Sequence, residues 1–166
     1  MSAATPPEME ILDYATYGQA ANQLANMVWE DGYRPDMILA IARGGLLVAG
    51  SLGYSLGVKN IYVMNVVYYT GVNERLDVPL ILPPAPDLVD VSDARVLIAD
   101  DVADTGHTLA TVMKFCEGKV ADVRSACIYE KPWSIVHCDY VWKRTDKWID
   151  FPWSTKAAIV HDGDGH

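Results

Sequence analysis

The sequence predicts an α/β fold, a mainly parallel twisted sheet flanked by helices, and three observations carry that expectation. Short runs such as "MILAIA" (residues 37–42) and "RVLIAD" (residues 95–100) have the unbroken hydrophobicity of strands buried on both faces. Stretches with apolar residues at helical spacing alternate with these runs along the chain. Glycine closes those helical stretches, at Gly32, Gly57 and Gly118. A chain of 166 residues is the size of one domain and can bury a substantial core.

Taken in order, residues 1–10 read as a loose leader without periodicity. Asp13 can cap a helix in which Tyr17, Ala20, Ala21, Leu24, Met27 and Val28 share a face, with a stop at Asp31-Gly32. Residues 37–42 form the first strand, and "RGGLLVAGSLGYSLG" starts with glycines, turns helical and ends at Gly57. Residues 61–69 ("IYVMNVVYY") are β-branched and aromatic, a second strand. Residues 70–93 carry Gly71 and four prolines and lack sustained periodicity, so they read as a long loop of the kind used as a lid. A third strand over 95–100, a helix over 109–115, a fourth strand over 123–129 and a fifth over 139–142 complete the series.

Bulk properties narrow the classes of function. A net charge of −9 argues against wrapping nucleic acid, whose affinity is built on Lys and Arg meeting phosphates. No run reaches the ~18 to 20 apolar residues of a membrane helix, so no stable membrane anchor is expected. The first residues lack a basic region followed by an apolar one, so no signal peptide is visible. Cys116, Cys127 and Cys138 fit no zinc or disulfide spacing and read as reduced thiols of a cytoplasmic protein. The closing "HDGDGH" reads as a flexible tail rather than a metal tract.

In open parallel sheets, ligands bind beyond the carboxyl ends of the strands. Three chemically unusual turns follow strand ends here: Arg43-Gly44-Gly45, the segment 100–108, and Glu130-Lys131-Pro132. The richest is "VLIADDVADTGHTL". Adjacent strand residues point to opposite sides, so Asp100 and Asp101 diverge unless the strand ends between them. If it ends there, both can address vicinal hydroxyls or a metal bound to them. Asp104 stands apart, free for proton transfer. Thr105, Gly106, His107 and Thr108 start a helix, where unpaired N–H groups and the dipole favour a phosphate. One aspartate there would merely cap a helix; three of them plus Thr-Gly-x-Thr imply a ligand with both hydroxyls and a phosphate. By themselves, Arg43-Gly44-Gly45 is also an ordinary turn, Arg75 and Lys131 are also surface charges, and Trp148 and Trp153 read as core.

Together these residues resemble the type I phosphoribosyltransferases. "VLIADDVADTGHTL" is similar to that family's phosphoribosyl pyrophosphate motif, "IARGG" to its pyrophosphate loop, and "YTGVNERL" to its arginine-bearing hood segment. "EKPW" and "WIDFPW" resemble the base-binding lysine and C-terminal hood of bacterial xanthine-guanine phosphoribosyltransferases. The resemblance implies a single domain with a core over about residues 13–145, a base-binding hood over 146–155 and a tail over 156–166. It also implies purine salvage: transfer of the phosphoribosyl group from phosphoribosyl pyrophosphate to guanine, hypoxanthine or xanthine, with Mg2+ as cofactor and a homodimer or homotetramer as the assembly. On this resemblance Asp100 and Asp101 hold the ribose hydroxyls, Asp101 lying near the metal, and Thr105–Thr108 cradle the 5′-phosphate. Ala42, Arg43 and Gly44 meet the pyrophosphate, with the Ala42–Arg43 peptide cis as is frequent in the family. Asp104 and Arg75 are the catalytic pair. Lys131 donates to a 6-oxo group, Trp148 stacks on the purine, and the backbone at Ile149 and Asp150 reads its 2-position. Two features depart from the pattern: His107, where relatives often have Gly or Lys, and the proline-rich "LDVPLILPPAPDLVD". The alternative is a regulator of the same fold that senses phosphoribosyl pyrophosphate without catalysing transfer; the acidic balance and the joint presence of Arg75, Lys131 and Trp148 count against it. A receiver-type signalling domain is excluded, because there the acidic pair follows the first strand.

Overall fold

The computed structural model describes residues 8–71, 74–82 and 91–159. Along the chain run β1 (Met9–Ile11), α1 (Tyr14–Glu30), β2 (Met37–Ile41), α2 (Gly44–Leu56), β3 (Ile61–Gly71) and β4 (Glu74–Leu82). These are followed by β5 (Arg95–Ala103), α3 (His107–Cys116), β6 (Asp122–Glu130), β7 (Tyr140–Arg144) and β8 (Trp148–Asp150). Asp13 caps α1 as its position predicts, its side chain accepting from the Thr16 N–H at 2.7 Å. Gly57 ends α2 with the left-handed φ of 70° that a residue lacking Cβ adopts without penalty.

The main sheet has the order β4-β3-β2-β5-β6-β7. From β3 to β7 every pairing is parallel, and β4 alone is antiparallel, at the edge. Alternation along the strands divides the core in two. Ile38, Ala40, Leu97, Ala99, Ala126 and Ile128 turn toward α1 and α2, whereas Leu39, Ile41, Val96, Ile98 and Cys127 turn toward α3. Both faces are therefore covered, which is why β2 reads as an unbroken apolar run. Among the described residues no helix is long and apolar enough to cross a membrane.

Three expectations change. Residues 70–93 are not a plain loop: β3 and β4 form a hairpin, with an irregularity between Tyr68 and Thr70. Pro79 sits in β4 opposite Tyr68, and a proline is tolerated there because an edge strand has no second neighbour needing its N–H. The remaining three prolines of that segment, and with them residues 72–73 and 83–90 of the expected lid, lie outside the described residues. Second, Met9 and Glu10 are not a leader, because β1 pairs in parallel with β8, Glu10 opposite Ile149. Each strand has three residues, too few to show a period. Third, the strand holding the acidic pair does not stop at Asp100 but runs to Ala103, and α3 starts two residues earlier than its apolar spacing suggests.

Candidate active site

Because β5 continues through the acidic pair, Asp100 and Asp101 leave opposite faces of the sheet, the divergence that an uninterrupted strand dictates. Asp100 lines a small cavity of about 90 Å³ together with Asp104, Thr105, Gly106 and Thr108. Asp101 lines a wider one of about 650 Å³ with Arg43, Gly44, Phe151 and Trp153. The two carboxylates thus bracket the strand end rather than standing side by side. Each folds back onto the next amide: Asp101 N–H donates to Asp100 Oδ1 at 2.9 Å, and Val102 N–H to Asp101 Oδ1 at 2.8 Å. Burial, then the charge of Asp101, pushes the Asp100 carboxyl well above its ordinary value. Burial also raises Asp101, opposed by its contacts with Asp100, the Val102 amide and the Trp153 indole. Such a pair is short of positive charge and suits hydroxyl donors or a hard cation.

The turn after β2 holds Asp101 in place. Its Ala42–Arg43 peptide is cis, and Arg43 precedes α2 with its side chain exposed. A Cβ on Gly44 would run into the Asp101 carboxylate, and one on Gly45 into the carbonyl oxygen of Ala99. Glycine at 45 therefore lets the turn lie against the β5 backbone, and glycine at 44 leaves room for the Asp101 carboxylate.

The third turn begins α3. Gly106 precedes the helix with φ of 85° and offers no side chain to cap it. The His107 N–H makes only a long contact of 3.4 Å to Thr105 Oγ1, so the helix start remains suited to an anion. A Cβ at Gly106 would also meet Ser134 Oγ at 2.5 Å. The segment after β6 is fastened to this turn by its backbone: Lys131 N–H donates to the Ala103 carbonyl at 2.9 Å, and Ile135 N–H to that of Thr105 at 2.9 Å. Asp104 is exposed, yet it is not wholly free, since the Trp133 indole Nε1–H donates to its Oδ1 at 2.9 Å.

Lys131 is only 6% exposed. Its ammonium donates to the Lys147 carbonyl, just ahead of Trp148, and lies 5.3 Å from the centre of the Trp133 ring. Trp148 is 70% exposed, so it is not the core residue that its composition suggests, whereas Ile149 is buried and Asp150 half-buried. Trp153 does join the core, stacked on Phe151 at 5.0 Å and edge-on to Tyr17 at 5.3 Å. Arg75 occupies β4 opposite Thr70; its side chain lies outside the described residues, as do the last residues of the tail.

Two residues here escaped the sequence reading. Glu130 is a carboxylate 1% exposed, accepting from the Cys138 N–H at 2.7 Å, from Arg144 Nε at 2.9 Å and from His137 at 3.2 Å. Burial raises its pKa, but these donors outweigh burial and hold it below the ordinary value. Its only signal was an acid placed directly before Lys131 at a strand end. Trp133 was legible only as part of "EKPW". Cys127 and Cys138 come together, sulfur to sulfur at 3.2 Å, and with Glu130 are the single potential metal-ligating group among the described residues. Since both Glu130 oxygens are engaged, the thiols read as packing.

Comparison with known proteins agrees with this geometry. The phosphoribosyl transferase domain family matches residues 9–159. A xanthine-guanine phosphoribosyltransferase of Gluconobacter oxydans is 32% identical over 126 residues, 74% of this chain and 71% of that protein. One from Idiomarina loihiensis is 29% identical, covering 74% and 73%. Among solved structures, a purine phosphoribosyltransferase from Pyrococcus horikoshii superimposes with a TM-score of 0.79 at 34% identity, covering 93% of this chain and 99% of that one. A Helicobacter pylori xanthine-guanine-hypoxanthine phosphoribosyltransferase shares the fold, with a TM-score of 0.73 at 22% identity over 88% and 93%. The match spans nearly the whole described chain and includes the three turns gathered on one rim, and the protein therefore belongs to the phosphoribosyltransferase family.

Proposed function

We propose that this protein is a purine salvage enzyme that transfers the 5-phosphoribosyl group from phosphoribosyl pyrophosphate to a 6-oxopurine, releasing pyrophosphate. The observation that carries the reading is the joining of two turns: backbone bonds at Lys131 and Ile135 fasten a lysine-bearing segment beside the Asp-Thr-Gly-His-Thr turn. A base held by the one would meet a sugar phosphate held by the other.

The division of labour follows from the chemistry of each group. The amides of Thr105–Thr108 and the dipole of α3 favour the 5′-phosphate. Asp100, which shares its cavity with the phosphate-binding turn, would accept from the ribose hydroxyls, and Asp101, on the other face of β5 beside Arg43 and Gly44, would address the metal and the pyrophosphate side. Ala42, Arg43 and Gly44 lie where the pyrophosphate would extend, and Arg75 would add positive charge as the leaving group departs. Asp104 would hold the proton of the purine ring nitrogen. Trp148 offers an exposed ring face for stacking, and the Ile149 and Asp150 backbone borders the 2-position. Mg2+ fits Asp101, because a carboxylate raised by burial gains from a hard cation; when bound it would neutralise the pyrophosphate oxygens.

Lys131 decides the base. An ammonium has donors and no acceptor, so it pairs with a 6-oxo oxygen but faces donor against donor at adenine's 6-amino group. Sites built around such hydrogen bonds reject the wrong partner by about 10⁴-fold. The test is pyrophosphate release with each purine in turn, with phosphoribosyl pyrophosphate and magnesium present. Guanine, hypoxanthine or xanthine should react, and adenine should not; equal turnover of adenine would overturn the role of Lys131. The same reading carries a homodimer or homotetramer, which sedimentation at micromolar concentration tests.

A further inference from the structure

The exposed aromatic ring at the centre of this rim has no role in the reading above. Trp133 lies at the tip of the turn following β6, 54% exposed. The backbone of that turn is fixed without it: Ser134 N–H donates to the Lys131 carbonyl at 3.0 Å, Ile135 N–H to Thr105, and Ser134 Oγ to the Val136 carbonyl at 2.7 Å. A ring that large, left half in water on a turn already secured, adds little to the core. Yet it makes two directed contacts, and both are to groups that the proposed reading assigns to the base. Its single donor, Nε1–H, goes to Asp104 Oδ1 at 2.9 Å, and its ring lies 5.3 Å from the Lys131 ammonium.

We infer that Trp133 is a positioning residue that fixes the orientation of the Asp104 carboxylate, and that it ties proton handling to base recognition through the same ring. A carboxylate on an exposed turn rotates freely about its terminal torsion. One hydrogen bond to Oδ1 stops that rotation and leaves Oδ2 as the oxygen available to the purine ring nitrogen. The ring surface beside Lys131 limits where its ammonium can go. A base bound against Lys131 therefore meets an Asp104 already turned toward it. Pre-set geometry of this kind is worth far more to turnover than to binding.

This inference rests on the transferase reading, and Trp133→Phe tests it, because phenylalanine keeps a smaller aromatic ring in the turn and removes the indole N–H that bonds Asp104. The expected result is a fall in kcat of about tenfold or more, the weight of one hydrogen bond to a charged group. The KM for phosphoribosyl pyrophosphate and the melting temperature should stay close to wild type. A purely structural tryptophan would instead move the melting temperature. The second arm places Trp133→Phe in an Asp104→Asn background, where it should cost almost nothing further because its effect passes through the carboxylate. An active wild type with an unchanged Trp133→Phe, or equal losses in both backgrounds, would overturn this inference and leave the transferase reading standing. A wild type that releases no pyrophosphate with any purine would end both.

Discussion

Two glycine-bearing turns lead helices away from the same rim, and they need glycine for different reasons. Gly44 and Gly45 need room rather than an unusual backbone: the space a Cβ would take is filled by the Asp101 carboxylate and by the Ala99 carbonyl oxygen. Gly106 needs both, a left-handed φ of 85° and clearance from Ser134 and the backbone of Ile135 and Val136. The first turn is thus shaped by a strand far away in sequence, and its local pattern, Arg-Gly-Gly, carries little information. The second is shaped by its own backbone, so Thr-Gly-His-Thr announces itself. A weak motif can be as strictly constrained as a strong one when the constraint comes from across the sheet.

The largest effect expected is at Asp104, which belongs to neither glycine contact. Asp104→Asn should lower turnover by about 10²–10⁴-fold while phosphoribosyl pyrophosphate still binds nearly as in wild type. Unchanged single-turnover rates would remove Asp104 from the chemistry.

Alanine at the glycines sharpens the contrast. Gly44→Ala meets the end of a side chain, which can move aside, so the fold should tolerate it. Activity should not, because the displaced carboxylate is Asp101, and small misplacements cost on the order of 10²-fold. Gly45→Ala meets backbone, which cannot move aside, and should cost about 1–3 kcal/mol of stability. Gly106→Ala should cost about 1–2 kcal/mol from its left-handed backbone alone. Urea unfolding of all three, beside kcat/KM, separates the cases; a Gly44→Ala protein less stable than Gly45→Ala would reverse the argument.

The smallest effect has the opposite sign. Burial and the neighbouring Asp101 raise Asp100, so the folded protein is penalised for ionising it. That penalty grows as pH rises above the ordinary 3.8, and it vanishes as pH falls below it. Asp100→Asn should therefore melt a few degrees above wild type at pH 7, converge with it in acid, and bind phosphoribosyl pyrophosphate less well. A lower melting temperature at pH 7 would show that the charge is better compensated than its surroundings indicate.

Much of this architecture was legible because doubly covered strands have a plain signature: the β2 and β5 runs, the Asp13 cap and the Gly57 stop all emerged near their predicted places. The hairpin strand β4 did not, since Pro79 and the lack of clean alternation are those of an edge strand. The three-residue strands β1 and β8 are visible only through each other. Within the site, the residue types on the rim could be read, but not their pairings. No local pattern shows that Trp133 turns its donor toward Asp104, that Trp148 stays exposed while Trp153 is packed, or that Asp100 and Asp101 open onto different cavities.

The pairing of β1 with β8 has a practical consequence for handling the protein. Lys131 holds the carbonyl of Lys147; Lys147 in turn is paired with Glu8 at 2.8 Å, and Glu10 with Lys143 at 2.6 Å. The residue assigned to choose the base is thereby moored, through one short strand, to the amino end of the chain. Deleting residues 8–11 would not be a neutral alteration in this molecule, because it removes the strand that pairs with β8 directly after Lys147.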